Sequence, residues 1–130
     1  MMKVNMDDEC SRADILRQTT CHMIRLGFQA RQRGYRYLRE AVLIAYQEPE
    51  TLTAVTKCLY PEVAKRYNTT DKHVERAIRN AIETAWNGKE SEPFKTLFEK
   101  SYKNITTRPT NKEVIAKIAG LIRDTMESDK

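Results

Sequence analysis

Residues 60–86 read YPEVAKRYNTTDKHVERAIRNAIETAW, and this stretch decides the fold. From Asp71 onward, Val74, Ala77, Ile78, Ala81, Ile82, Ala85 and Trp86 recur at helical spacing, which predicts a helix with one buried stripe. Its other side presents Lys72, His73, Arg76, Arg79, Asn80 and Glu83. Upstream, Tyr60-Pro61 predicts the start of a short helix with Pro61 at its first position and Val63, Ala64 and Tyr67 inward. Asn68, Thr69 and Thr70 form a polar turn between the two. Short helix, turn and long helix are the anatomy of a helix-turn-helix, whose second helix enters the major groove N-terminus first. The small Ala64 permits a close crossing, and Val74 plugs the space between the helices. Asn68 stands where the turn needs a left-handed residue, which Asn tolerates. Thr70 caps the long helix and leaves nearby N–H groups for a phosphate. Asp71 suits the helix dipole but would repel that phosphate. The same pattern also fits an ordinary amphipathic pair in a helical core, and Tyr67 and Trp86 read as core rather than as base-stacking aromatics.

Outward from this segment the pattern stays helical. Ile15, Leu16, Thr19, Met23, Ile24 and Leu26 predict a first helix, with Ser11 as N-cap and Gly27 past its end. A second helix follows Gly34, with Leu38, Val42, Ala45 and Tyr46 as its apolar stripe. Pro49 closes it or opens the next, a short third helix marked by Leu52, Val55 and Leu59. The long helix stops at Asn87-Gly88, and Pro93 opens a short segment with Phe94, Leu97 and Phe98. After a loop with Arg108-Pro109, Thr110 or Asn111 caps a last helix bearing Val114, Ile115, Ile118, Leu121 and Ile122. The expectation is one all-α domain over residues 11–127, with the helix-turn-helix at about 60–86 and an acidic, flexible leader over 1–10.

The 130 residues suffice for one domain with one core. Charged residues make up 32% and the hydrophobic set 40%, a soluble globular balance, and no apolar run approaches a membrane span. Four Gly and four Pro are too few for a turn-rich β architecture. Cys10, Cys21 and Cys58 are odd in number and offer no CxxC pair, and His22 and His73 stand apart. Neither a disulfide framework nor a metal site is indicated, and free thiols suit a cytoplasmic location. There is no Gly-rich phosphate loop and no Cys/His pairing, and carboxylates such as Glu48 and Glu50 flank Pro49 in a turn, so no catalytic residue and no cofactor is assigned.

The net charge of +5 is uneven. Residues 15–39 contain no acid and six arginines: Arg17, Arg25, Arg31, Arg33, Arg36 and Arg39. Residues 57–89 hold seven Lys or Arg against four acids. The basic surplus thus sits in two segments, the second of which holds the recognition helix.

The run Leu59 to Thr70, then Val74 to Arg79, Ala81 to Glu83 and Ala85-Trp86, resembles the C-terminal effector domain of the stage-zero sporulation response regulator family of spore-forming Firmicutes. The likeness extends through Gly34 to Ala41 and Arg108 to Glu113, and covers roughly residues 20–125. It implies a six-helix bundle with a helix-turn-helix and no wing. It implies binding to short boxes resembling TGTCGAA, often as tandem head-to-tail copies, and contact with the sigma subunit of RNA polymerase. Glu75, Arg76 and Arg79 match the family residues that contact bases and phosphates. Lys72 and His73 replace a common Ser and Arg, and Asn80 replaces a common His. Lys89 to Tyr102, which includes the region for polymerase contact, matches more weakly. Met1-Met2 and the acidic leader favour a natural stand-alone effector without the family's receiver domain and its phosphoacceptor.

The function expected is that of a sequence-specific, double-stranded-DNA-binding transcription regulator, a tandem homodimer on DNA, with no enzymatic activity and no membrane partner. Base contacts are assigned to Glu75, Arg76, His73 and Asn80, where Arg suits guanine and Glu a cytosine amine. Phosphate contacts are assigned to Lys72, Arg79, Thr70, Lys65 and Arg66, with Arg33 and Arg36 joining if folding brings residues 31–39 to the same face. The alternative is a protein-interaction module of the same fold, holding sigma factor or a full-length homologue without specific DNA binding.

Overall fold

The computed structural model describes residues 2–99 and 108–128. Its α-helices are α1 (Met2–Arg25), α2 (Arg33–Gln47), α3 (Tyr60–Arg66), α4 (Asp71–Trp86), α5 (Glu92–Glu99) and α6 (Asn111–Ser128). The described residues hold six α-helices and no strand, in keeping with the all-α, six-helix bundle expected. The segment Lys89 to Tyr102 is described only as far as Glu99.

Helix α2 is the centre, packed against α1, α3, α4 and α6. Ala41, Val42, Leu43, Ile44 and Ala45 are all buried, so more than the expected stripe faces protein. A helix turn that is apolar all round requires partners on every side, and α2 has them. Gly34 lies inside its first turn. A Cβ there would stand 2.0 Å from the carbonyl oxygen of Ala77 and 2.9 Å from Cβ of Ala81. Only the missing side chain lets the start of α2 sit on the middle of α4.

Three boundaries differ from expectation. Helix α1 is already formed at Met2, so Ser11 lies within it and does not cap it. Nothing between Met2 and Ser11 is a Gly or Pro, and a Ser inside a helix costs only a few tenths of a kcal/mol. The short third helix is instead a 3₁₀ turn (Pro49–Thr53) followed by a π-helical turn (Val55–Leu59) that runs into α3. Two apolar anchors in that span, Leu52 and Val55, are only half-buried, too little to hold a separate α-helix. Helix α2 begins at Arg33, one residue before Gly34.

The remaining boundaries fall where the sequence places them. Gly27, at φ +91°, closes α1: its N–H donates to the Ile24 carbonyl at 3.0 Å and that of Phe28 to Met23 at 3.0 Å. This is the paired bonding of a Schellman end. Thr110 and Glu113 cap α6 reciprocally, the Thr110 N–H donating to Glu113 Oε1 at 2.8 Å and the Glu113 N–H to Thr110 Oγ1 at 3.2 Å. Phe94 on α5 packs against Phe28, Trp86 and Phe98, with ring centroids 5.5, 5.1 and 5.6 Å away. Trp86 is thereby core, as expected.

Candidate nucleic-acid interface

The turn between α3 and α4 is built as its residues dictate. Asn68 is left-handed, at φ 53°. The Thr69 N–H donates back to the Ala64 carbonyl at 2.9 Å, ending α3. The Thr70 hydroxyl accepts from the His73 N–H at 3.2 Å and so caps α4. Its own proton remains available to a ligand oxygen. Ala64 and Val74 are buried between the two helices.

Helix α4 has three distinct sides. Val74, Ile78, Ala81, Ile82, Ala85 and Trp86 are buried. Lys72, Arg76 and Asn80 are exposed one turn apart and point away from the core. Lys72 and Arg76 form no ion pair or side-chain hydrogen bond with the described residues. This row is the free face of the helix.

One flank of α4 leans on α2. Ala77 meets Gly34, and the Gln32 amide donates to Thr84 Oγ1 at 3.2 Å. His73, expected on the outer face, belongs to this flank. Its ring stands edge-on to Tyr37 at 5.7 Å, and its Nε2 is buried with no hydrogen-bond partner among the described residues. The residue lies one turn before Ala77 on the same flank, and the periodic pattern alone cannot say which side of a stripe a neighbouring helix covers.

The other flank leans on the start of α6. Glu75 and Arg79, one turn apart, pair at 3.0 Å. Arg108 pairs with Glu83 at 3.1 Å. Asn111 donates to the Glu75 carbonyl at 3.1 Å and to the Tyr60 hydroxyl at 3.0 Å. Burial raises the Tyr60 phenol above its ordinary value of 10.0, partly opposed by the bond from Asn111. Two residues matched to the base- and phosphate-contacting set therefore occupy each other.

Of the remaining assigned cations, Lys65 is exposed. Arg66 is not free: it bridges Glu62, at 3.3 Å, and the mostly buried Glu40, which Arg12 also approaches at 3.6 Å. A carboxylate inside the bundle needs a cation, and Arg66 serves that need. Folding also settles the position of the arginine-rich segment. Arg31, Arg33 and Arg36 surround a groove that ends on Tyr67 at the turn. Arg39 instead lies over the Tyr35 ring at 5.7 Å and reaches Thr20. Sequence reasoning treated Gly34 as a helix boundary and missed its role, which sets how close these arginines stand to α4.

No helix among the described residues is long and apolar enough to cross a membrane. The family model described as sporulation initiation factor Spo0A C terminal matches residues 19–122, which include α2 to α5, the helix-turn-helix and most of α6. With that match over most of its length and a helical bundle that carries a helix-turn-helix at residues 60–86, the chain belongs to the Spo0A C-terminal family of sporulation initiation factors.

Proposed function

We propose that the protein is a sequence-specific DNA-binding regulator of transcription, acting in the cytoplasm and inserting α4 into the major groove. Membership in a family of sporulation initiation factors supports a regulatory rather than an enzymatic role. The observation that carries the reading is Arg76: an exposed, unpaired guanidinium at the centre of the free face, one turn from Lys72 and from Asn80. An unpaired guanidinium is ready to bond a guanine through two N–H groups at once. Asn80 has the donor and acceptor that an adenine edge requires. Lys72, Lys65 and the Thr70 hydroxyl hold phosphates around the helix start. Glu75 and Arg79 read together, as a pair, once DNA competes for the arginine. His73 takes part only if its ring leaves Tyr37. Tandem copies on DNA and contact with a polymerase sigma subunit complete the proposal.

Fluorescence anisotropy tests it, with a duplex holding a TGTCGAA-like box against a scrambled duplex. The box binds more tightly, and with ~4–6 phosphate contacts log affinity falls against log salt with a slope of about −4 to −5. Arg76→Ala weakens binding by roughly 1–3 kcal/mol and relaxes the preference. A uniform loss on both duplexes makes Arg76 a phosphate clamp instead. The second reading, an interaction module without specific DNA binding, is favoured by the Glu75–Arg79 pair, which leaves fewer free readers on α4. Equal binding to both duplexes at moderate salt selects it.

A further inference from the structure

The start of α2 gathers charge that the fold itself does not use. Arg31, Arg33 and Arg36 surround one groove of about 530 Å³, together with Gln32, Tyr37 and Tyr67. No carboxylate of the described residues lines it, and the sequence from 15 to 39 contains none. Apart from Arg25 and Arg76, the other arginines are engaged. Arg12, Arg17, Arg66, Arg79 and Arg108 pair with acids, while Arg39 and Arg123 lie over tyrosine rings. The three in the groove make no ion pair or hydrogen bond with the described residues. Arg33 and Arg36, three residues apart, are neighbours on one helix face, where like charges repel. A repelling cluster with no counter-charge among the described residues calls for an anion from outside.

Its position names the anion. Gly34 seats this end of α2 directly on Ala77, and Gln32 is bonded to Thr84, so the groove is held rigidly beside α4. Tyr37 in its wall meets His73 on the α2 flank of the recognition helix, and Tyr67, at the end of α3, completes it. A helix lying in the major groove, about 12 Å wide, has a sugar–phosphate strand along each side. On the α6 side the nearest arginines, Arg79 and Arg108, are already paired with Glu75 and Glu83.

We infer that the groove at the start of α2, with Arg31, Arg33 and Arg36, is a second phosphate-binding arm that grips the DNA strand on the α2 side of α4. This rests on the DNA-binding reading above. It adds a one-sided grip, fixed in place by Gly34, which strengthens binding without reading sequence.

The test uses the full chain with Arg33→Ala, Arg36→Ala and the double substitution, the fold checked by circular dichroism. Each single change makes the log–log salt slope shallower by about 1 and the double change by about 2. The affinity ratio between box and scrambled duplex stays as in the wild type. Duplexes with single methylphosphonates, which remove one phosphate charge, then locate the contact. Neutral phosphates beside the box on one strand weaken the wild type but not the double variant. An unchanged slope overturns the inference, and so does a changed box-to-scrambled ratio, because the arginines would then be reading bases. A mononucleotide such as ADP that binds the wild type and displaces the duplex overturns it in favour of a small-ligand site. If the wild type binds both duplexes alike, specific recognition fails, but the slope change on the scrambled duplex still decides the arm. Absence of binding to any duplex overturns both.

Discussion

Replacing Gly34 with Ala should destabilise the protein, although the same exchange in most helices stabilises them. The new Cβ would lie 2.0 Å from the Ala77 carbonyl oxygen and 2.7 Å from its carbonyl carbon. Both are backbone atoms of α4, so no side chain can swing aside. To restore ordinary contact at ~3.5 Å, α2 and α4 must part by roughly 1.5 Å along their crossing. Overpacking of this kind costs about 1–3 kcal/mol, and sometimes more. Against it stands a gain in helix propensity of at most about 1 kcal/mol. With a backbone clash this short the upper end of that range applies, about 3 less about 1, so the net expectation is a loss of about 2 kcal/mol. In urea, with a slope of about 2 kcal/mol/M, the midpoint falls by ~1 M at unchanged slope. Gly120→Ala is the control, because no atom lies within 4 Å of the Cβ it would add. In the middle of α6 that change should raise stability by roughly 0.5–1 kcal/mol. If Gly34→Ala matches or exceeds the wild type in stability, the packing argument is wrong, and so is the rigid link between the α2 arginines and the recognition helix.

Thr70→Ala removes the cap of α4 and should cost about 1 kcal/mol in urea unfolding, with Thr70→Ser retaining most of it. An Ala variant as stable as the wild type would show that the cap contributes nothing. Asn68→Gly should be neutral or slightly stabilising at φ 53°, whereas Asn68→Ala should cost about 1 kcal/mol; equal effects would argue against the left-handed turn. His22 is pushed below its ordinary 6.5 by burial first and then by Arg25. The unfolded chain therefore takes up this proton before the folded one, so stability is full above about pH 6.5 and falls as the pH drops through the folded value. Urea midpoints from pH 7.5 down to about 5 should fall less for His22→Gln than for the wild type. Parallel curves would refute that assignment.

The parts legible from sequence were those set by local chemistry. The stripe from Val74 to Trp86 fixes both the length and the buried side of α4, because a 3.6-residue repeat has one apolar face. Gly27, Asn68, Thr70 and Thr110 mark their boundaries because each supplies a backbone conformation or an oxygen that few residues can supply there. Ser11 misled because a good cap is also tolerated inside a helix, and no breaker precedes it. Leu52, Val55 and Leu59 misled because three apolar residues at helical spacing do not say whether their neighbours will bury them.

Sequence alone therefore determined that the chain is helical, where its helix-turn-helix lies and which residue types the recognition helix offers. Only the tertiary structure decided which of those residues are free. Arg66 and Arg79 look like Arg76 in a sequence, but Glu62 and Glu40 claim the first and Glu75 the second, while Arg76 pairs with no carboxylate among the described residues. His73 looks like a reader until Tyr37 covers its ring. Arg33 and Arg36 stand some forty residues before α4 and become its neighbours only because Gly34 lets two backbones touch. Charge and hydrogen-bonding capacity belong to the residue, but their availability depends on partners brought from distant parts of the chain, and those partners are chosen by packing.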